Sequence, residues 1–85
     1  MARIHPGESN SSFIIQGAIN FLISENTDAV LLRKKFIFKI IPMINVDGVI
    51  GGNYRCSLSG QDLNRNWRDT NQLLFPEVFH IKKMV

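Results

Sequence analysis

Phe36-Ile37-Phe38-Lys39-Ile40-Ile41-Pro42 is the stretch on which the reading of the fold turns. Its residues are mostly β-branched or aromatic, types that favour extended backbone. Pro42 has no N–H for a ladder and ends the run. The run lacks clean apolar–polar alternation, which is the pattern of a parallel strand covered on both faces. Lys39 is the exception, and its long stem can lie along apolar surface while the amine reaches water.

Helical patterns precede this strand. Ser9, Asn10, Ser11 and Ser12 supply N-cap oxygens. Phe13, Gly17 and Phe21 recur at four-residue spacing, with Ile14, Ala18 and Leu22 beside them, and so define one apolar helix face. Ser24–Asn26 breaks it. A second helix is predicted over Thr27–Lys35, capped by Thr27, with Arg33, Lys34 and Lys35 in the last turn where cations suit the helix dipole. Residues 2–4 read as the end of a strand that runs into the turn His5-Pro6-Gly7. The order strand, helix, helix, strand predicts a right-handed crossover in an α/β sheet. Residues 43–66, rich in Asn, Asp, Gly and Ser, read mostly as loop. A last helix is predicted from about Pro76 to Met84, with proline in its first turn.

The 85 residues are 45% hydrophobic and 20% charged, an ordinary globular balance rather than a disordered one. No apolar run approaches the roughly 20 residues that span a bilayer, so no membrane role is expected. Met1–Glu8 shows no apolar signal segment. The net charge of +3 is spread along the chain, with +2 in residues 1–42 and +1 in residues 43–85. Without a basic block, and with the aromatics on expected core positions rather than among arginines, no nucleic-acid partner is expected. Cys56 is the sole cysteine, which excludes an intramolecular disulfide and suits a reducing cytoplasm. A strand apolar on both faces needs more cover than two or three short helices give. A chain this short also buries only a little over ~60% of its unfolded surface. The expectation is an incomplete domain.

Three segments hold residues with chemistry. In His5-Pro6-Gly7-Glu8, an imidazole and a carboxylate three residues apart sit at a turn that can converge them on one metal ion. Zinc takes such N and O ligands at about 2.0–2.2 Å. The plainer reading is a surface His beside a helix-initiating Glu. Asn45-Val46-Asp47-Gly48 is a turn-forming run. In the segment Asn53–Trp67, Arg55 lies among polar residues, and Asn64-Arg65 pairs an amide with a guanidinium that can grip a carboxylate bidentately. Trp67 is a large anchor for that loop. Read singly, each arginine is a solvated surface residue.

Taken together and in order, His5-Pro6-Gly7-Glu8, Asn45-x-Asp47-Gly48, Arg55 and Asp62-Leu63-Asn64-Arg65-x-Trp67 resemble the zinc metallocarboxypeptidase family, and within it the cytosolic carboxypeptidase branch of protein deglutamylases. The likeness extends over Ala2–Ser12, Phe36–Met43 and Arg55–Arg65. It implies that residues 1–85 are a fragment of a single catalytic domain, with part of the family's mixed sheet and flanking helices. It implies zinc as cofactor and His5 and Glu8 as its first two ligands. Arg55 matches the arginine that polarises the scissile carbonyl, and Asn64 and Arg65 match the pair that holds the substrate's C-terminal carboxylate. The implied reaction is removal of C-terminal residues, glutamate foremost, from acidic protein tails such as those of tubulin, in the cytoplasm.

The chain also departs from that pattern. Val46 stands where the family usually has Pro. The family's third ligand, a His on a later strand, has no match, and His80 reads as a structural or exposed residue. The family's tyrosine and general-base glutamate have no counterpart, so the 85-residue chain alone is expected to be inactive. Two alternatives stand beside the enzyme reading. One is an inactive remnant that binds acidic C-terminal tails through Arg55, Asn64 and Arg65. The other is an aspartoacylase-like zinc deacylase, which shares a His-x-x-Glu start and an Asn-Arg pair.

Overall fold

Helix and coil make up the whole of the computed structural model over residues 1–69 and 71–85, the residues it describes. The elements are α1 (Asn10–Leu22), α2 (Thr27–Lys35), α3 (Val46–Ile50), a 3₁₀ turn (Leu63–Arg65) and α4 (Pro76–Met84). No strand occurs among the described residues, so the expected α/β fold with a mixed sheet is incorrect.

The backbone chemistry of the decisive stretch explains the correction. Phe36 does enter extended backbone, with φ −131° and ψ 147°. Extended residues become a strand only when a neighbour supplies a ladder, and among the described residues none pairs with 37–40. Ile37 is 93% exposed rather than buried on two faces. The nearest approach to pairing is at Ala2, whose N–H donates to Ile41 O at 2.9 Å and whose carbonyl accepts from Ile44 N at 3.0 Å. A parallel ladder would use residues two apart, and here they are three apart. Pro42 lacks an N–H, and Arg3, with φ 50°, turns the chain out of extended backbone directly after Ala2.

The helices form where capping and composition direct them. Asn26, not Thr27, caps α2, and its side chain accepts from Asp28 N at 2.9 Å. Arg33, in the last turn of α2, donates through Nη1 to Leu22 O and, at 2.9 Å, to Ser24 O, which ties α2 to the end of α1. Ser9 occupies the N-cap of α1 without a side-chain cap bond, and α1 buries none of its residues. The apolar face predicted there exists but is uncovered, with Phe13 and Ile14 exposed. Phe36, Phe38 and Tyr54 are exposed as well, so most aromatics do not hold the core positions expected of them. Pro76 starts α4, and Lys39 Nζ donates to Met84 O at 2.7 Å, placing a cation on the C-terminal carbonyls of that helix.

The core is small and lies away from α1 and α2. It consists of Ile44, Leu63, Phe75, Val78 and Ile81, with Ile4, Ile41 and Trp67 packed against it. Fully buried Asn45 joins this core to the chain start. Its N–H donates to Arg3 O at 3.0 Å, its Nδ2 to Ile4 O at 3.3 Å, and its Oδ1 accepts from Gly48 N at 3.0 Å, capping α3. Gly48 permits close approach, since a Cβ there would lie 2.7 Å from Cys56 O and press on Pro6. Segments 1–8, 45–48 and 54–56 are thereby brought together.

Two substitutions test this architecture by urea unfolding. Leu63→Ala empties a fully buried core position and is expected to cost about 2–5 kcal/mol. Ile37→Ser is expected to change stability by no more than about 0.5 kcal/mol, because the side chain is already in solvent. A multi-kilocalorie loss at Ile37 would restore the buried strand.

Candidate metal centre and carboxylate clamp

The turn His5–Glu8 closes with Glu8 N donating to His5 O at 3.3 Å. It is wedged in place from outside. Gly7 N donates to Tyr54 O at 2.7 Å, and a Cβ at Gly7 would collide with the Tyr54 ring. The result brings His5 Nδ1 to 3.1 Å from Glu8 Oε1, with the His5 side chain 8% exposed and that of Glu8 48% exposed.

The other face of the imidazole is held by Asp62, whose Oδ1 lies 3.0 Å from His5 Nε2. Asp62 makes more contacts than any motif reading assigned to it. Its Oδ1 also accepts from Asn64 N at 2.8 Å, which caps the 3₁₀ turn, and its Oδ2 accepts from Arg55 Nε at 2.8 Å. Its carbonyl accepts from Asn66 Nδ2 at 2.7 Å. Burial by itself pushes the Asp62 carboxyl up. The hydrogen bonds from His5, Asn64 N and Arg55, with the attraction of His5, outweigh burial and hold it below its ordinary 3.8. Asp62 therefore stays an ionised acceptor at neutral pH.

That charge state sets the chemistry of His5. A carboxylate only accepts, so the Nε2 that faces Asp62 carries a proton, and Nδ1 facing Glu8 is the nitrogen a metal ion would take. Two acceptors 3.1 Å apart repel unless a proton or a cation lies between them. Two zinc ligands at about 2.0–2.2 Å in tetrahedral array stand roughly 3.4 Å apart, so this pair fits half of a zinc site. Among the described residues no group of three His, Cys, Asp or Glu converges on one point. His80 is exposed on α4, with its ring edge-on to Phe79, and takes no part.

Of the residues singled out in the sequence, the structure gathers His5, Glu8 and Arg55 around Asp62, with Asn64 and Arg65 following it directly. Arg55 is bound through Nε, its side chain is 43% exposed, and among the described residues no bond engages its Nη groups. Trp67 fixes the Asn64 amide: indole Nε1 donates to Asn64 Oδ1 at 2.8 Å. The amide NH₂ is then the end left to meet a ligand. Arg65 is exposed, and among the described residues no ion pair or hydrogen bond holds its guanidinium. A cavity of about 210 Å³, lined by Asp47, Ser57, Leu58, Ser59 and Glu77 among others, shares no residue with this group. Asp62 is the member that the motif reading passed over. Its available signal was an Asp two residues before Asn64, the spacing of a side-chain cap on a short turn.

A paired N and O donor set thus lies near guanidinium and amide donors, groups of the kinds that can hold a metal ion and a carboxylate. The zinc carboxypeptidase family model matches residues 1–78, and the chain belongs to that family. Among its relatives, cytosolic carboxypeptidase 1 of Gallus gallus is 54% identical over 84 residues. Cytosolic carboxypeptidase 4 of Homo sapiens and cytosolic carboxypeptidase 2 of Danio rerio are each 56% identical over 84 residues. The match covers 99% of this chain but 7%, 8% and 12% of those proteins respectively. Among the described residues no helix is long and apolar enough to cross a membrane.

Two measurements follow from this geometry. Calorimetric titration with zinc is expected to show a site that His5→Ala removes and His80→Ala leaves intact; loss in both variants would enlist His80. In the metal-free chain, the lowered Asp62 carboxyl contributes stability that is present above pH 3.8 and lost as pH falls through its lower folded value. Thermal melts across the acid range should therefore show a steeper acid loss in the wild type than in Asp62→Asn. Parallel curves would mean that Asp62 adds nothing by its charge.

Proposed function

We propose that this chain supplies the first half of the active site of a zinc-dependent carboxypeptidase that removes C-terminal residues, glutamate foremost, from acidic protein tails such as those of tubulin. The compartment proposed is the cytoplasm, in keeping with the names of the relatives. Residues 1–85 are read as part of a single catalytic domain, a reading supported by the uncovered apolar face of α1. The observation that carries the proposal is the triple engagement of Asp62. One carboxylate bonds a metal-ligand candidate (His5), a cation for the scissile carbonyl (Arg55) and the backbone of the carboxylate clamp (Asn64).

His5 and Glu8 would hold the zinc ion, and Asp62 orients the ring and raises its strength as a ligand. Bound zinc supplies Lewis acidity and acidifies a water. The other parts belong to the chain itself. The Nη groups of Arg55 meet the scissile carbonyl oxygen where negative charge develops, and a fixed cation there lowers the barrier. The Arg65 guanidinium and Asn64 NH₂ grip the free α-carboxylate, so only the last residue of a tail is presented. Exposed basic groups suit acidic tails more than neutral ones.

The test uses a short peptide ending in glutamates. Binding to the chain is expected to fall at least about tenfold in Arg65→Ala, and to a similar degree when the peptide's terminal carboxylate is amidated. Released glutamate is assayed alongside. In a longer protein carrying all three ligands, release that is lost in His5→Ala supports the enzyme, and binding without release there supports a tail-binding protein that does not cleave. Equal affinity for the free and amidated peptides would sink the clamp.

A further inference from the structure

We propose that Arg3 is the positioning residue of the His5–Glu8 pair: its guanidinium fixes the plane of the Pro6–Gly7 peptide and thereby the direction in which Glu8 leaves the turn. The inference rests on the metal role proposed above for His5 and Glu8.

The argument starts from turn chemistry. Pro followed by Gly at the centre of a turn suits type II, in which the third residue takes φ near +80°. Gly7 does not adopt it. The residues with positive φ are Arg3, Gly52 and Gly60. Types I and II differ mainly by a flip of the central peptide, so something must hold the Pro6 carbonyl against the orientation its own sequence favours. Arg3 does so with a fork, donating from Nε at 3.0 Å and from Nη2 at 2.6 Å to Pro6 O. Its remaining bonds fasten the exit of the turn. Nη1 donates to Ser12 Oγ at 3.0 Å and the Arg3 N–H to Ser11 Oγ at 3.1 Å, while Ser11 Oγ donates to Glu8 O at 2.8 Å. One side chain thus fastens the middle of the turn and the start of α1.

Arg3 does this from φ 50°, and among the described residues it is the sole non-glycine with positive φ. Such strain persists only where surrounding contacts over-determine it. Glycine would meet the backbone requirement with less strain, so what arginine adds at this position is the fork. Its charge cannot be the point, because a cation beside a metal site weakens metal binding.

Charge and positioning therefore predict opposite signs, and zinc affinity separates them. The chain is titrated with zinc by calorimetry and with cobalt(II) by visible absorbance, as wild type, Arg3→Gly and Arg3→Lys. Arg3→Gly keeps the backbone comfortable while removing fork and charge, and Arg3→Lys keeps the charge but not the fork. Both are expected to weaken zinc binding about 10–100-fold, the usual effect of losing an outer positioning group, and to change the cobalt spectrum. Helix content by circular dichroism should stay the same. Should Arg3→Gly lose helix content, Arg3→Lys decides alone. Zinc affinity in Arg3→Gly equal to or tighter than wild type, or unchanged affinity in Arg3→Lys, overturns the inference while leaving the proposed function standing. Absence of zinc binding by the wild type overturns both.

Discussion

The Asp62 carboxylate is the contact on which the candidate site depends. It is a hub because each of its oxygens is committed to a different segment: one to His5 and the amide of Asn64, the other to Arg55. Residues more than fifty positions apart in sequence are thereby held around one negative charge. Removing it would leave His5 free to take either tautomer, Arg55 free to swing, and the 3₁₀ turn without its cap. The cost of keeping a carboxylate partly buried is met by three donors, and its lowered pKa is the trace of that balance.

The support for this hub is more polar than apolar. The buried core is a handful of side chains centred on Leu63 and Val78, and it reaches the site through Leu63 in the 3₁₀ turn, Trp67 beyond it and Ile4 next to His5. The rest is shaped by backbone approach. Gly7 against Tyr54 and Gly48 against Cys56 allow contacts that any side chain would block. Precision at His5 and Glu8 comes from hydrogen bonds and tight backbone packing, with little help from the apolar interior.

The sequence was legible where local rules are complete. The range of α2 could be read because basic residues end it, and that of α4 because Pro76 opens it, although the cap of α2 proved to be Asn26. The stretch 36–41 was misread because β-propensity describes what a residue tolerates, and the partner that makes a strand lies outside the local sequence. The same limit applied to the aromatic face of α1, whose period was correct and whose cover is absent among the described residues. For the candidate site, the spacing His5-x-x-Glu8 and the pair Asn64-Arg65 named residues without showing their geometry. Asp62 and Arg3 stayed hidden for a shared reason. Their importance lies in what they bond, and short motifs do not record bonds to a carbonyl three residues away or to a ring fifty-seven residues away.

Trp67 has a consequence of a different kind. It is the single tryptophan of the chain, and its indole N–H bonds the amide whose other end faces the clamp. Indole emission responds to the polarity and hydrogen bonding around that ring. The chain thus has a native optical reporter one hydrogen bond from the proposed carboxylate site, so its occupancy can be followed without attaching a dye.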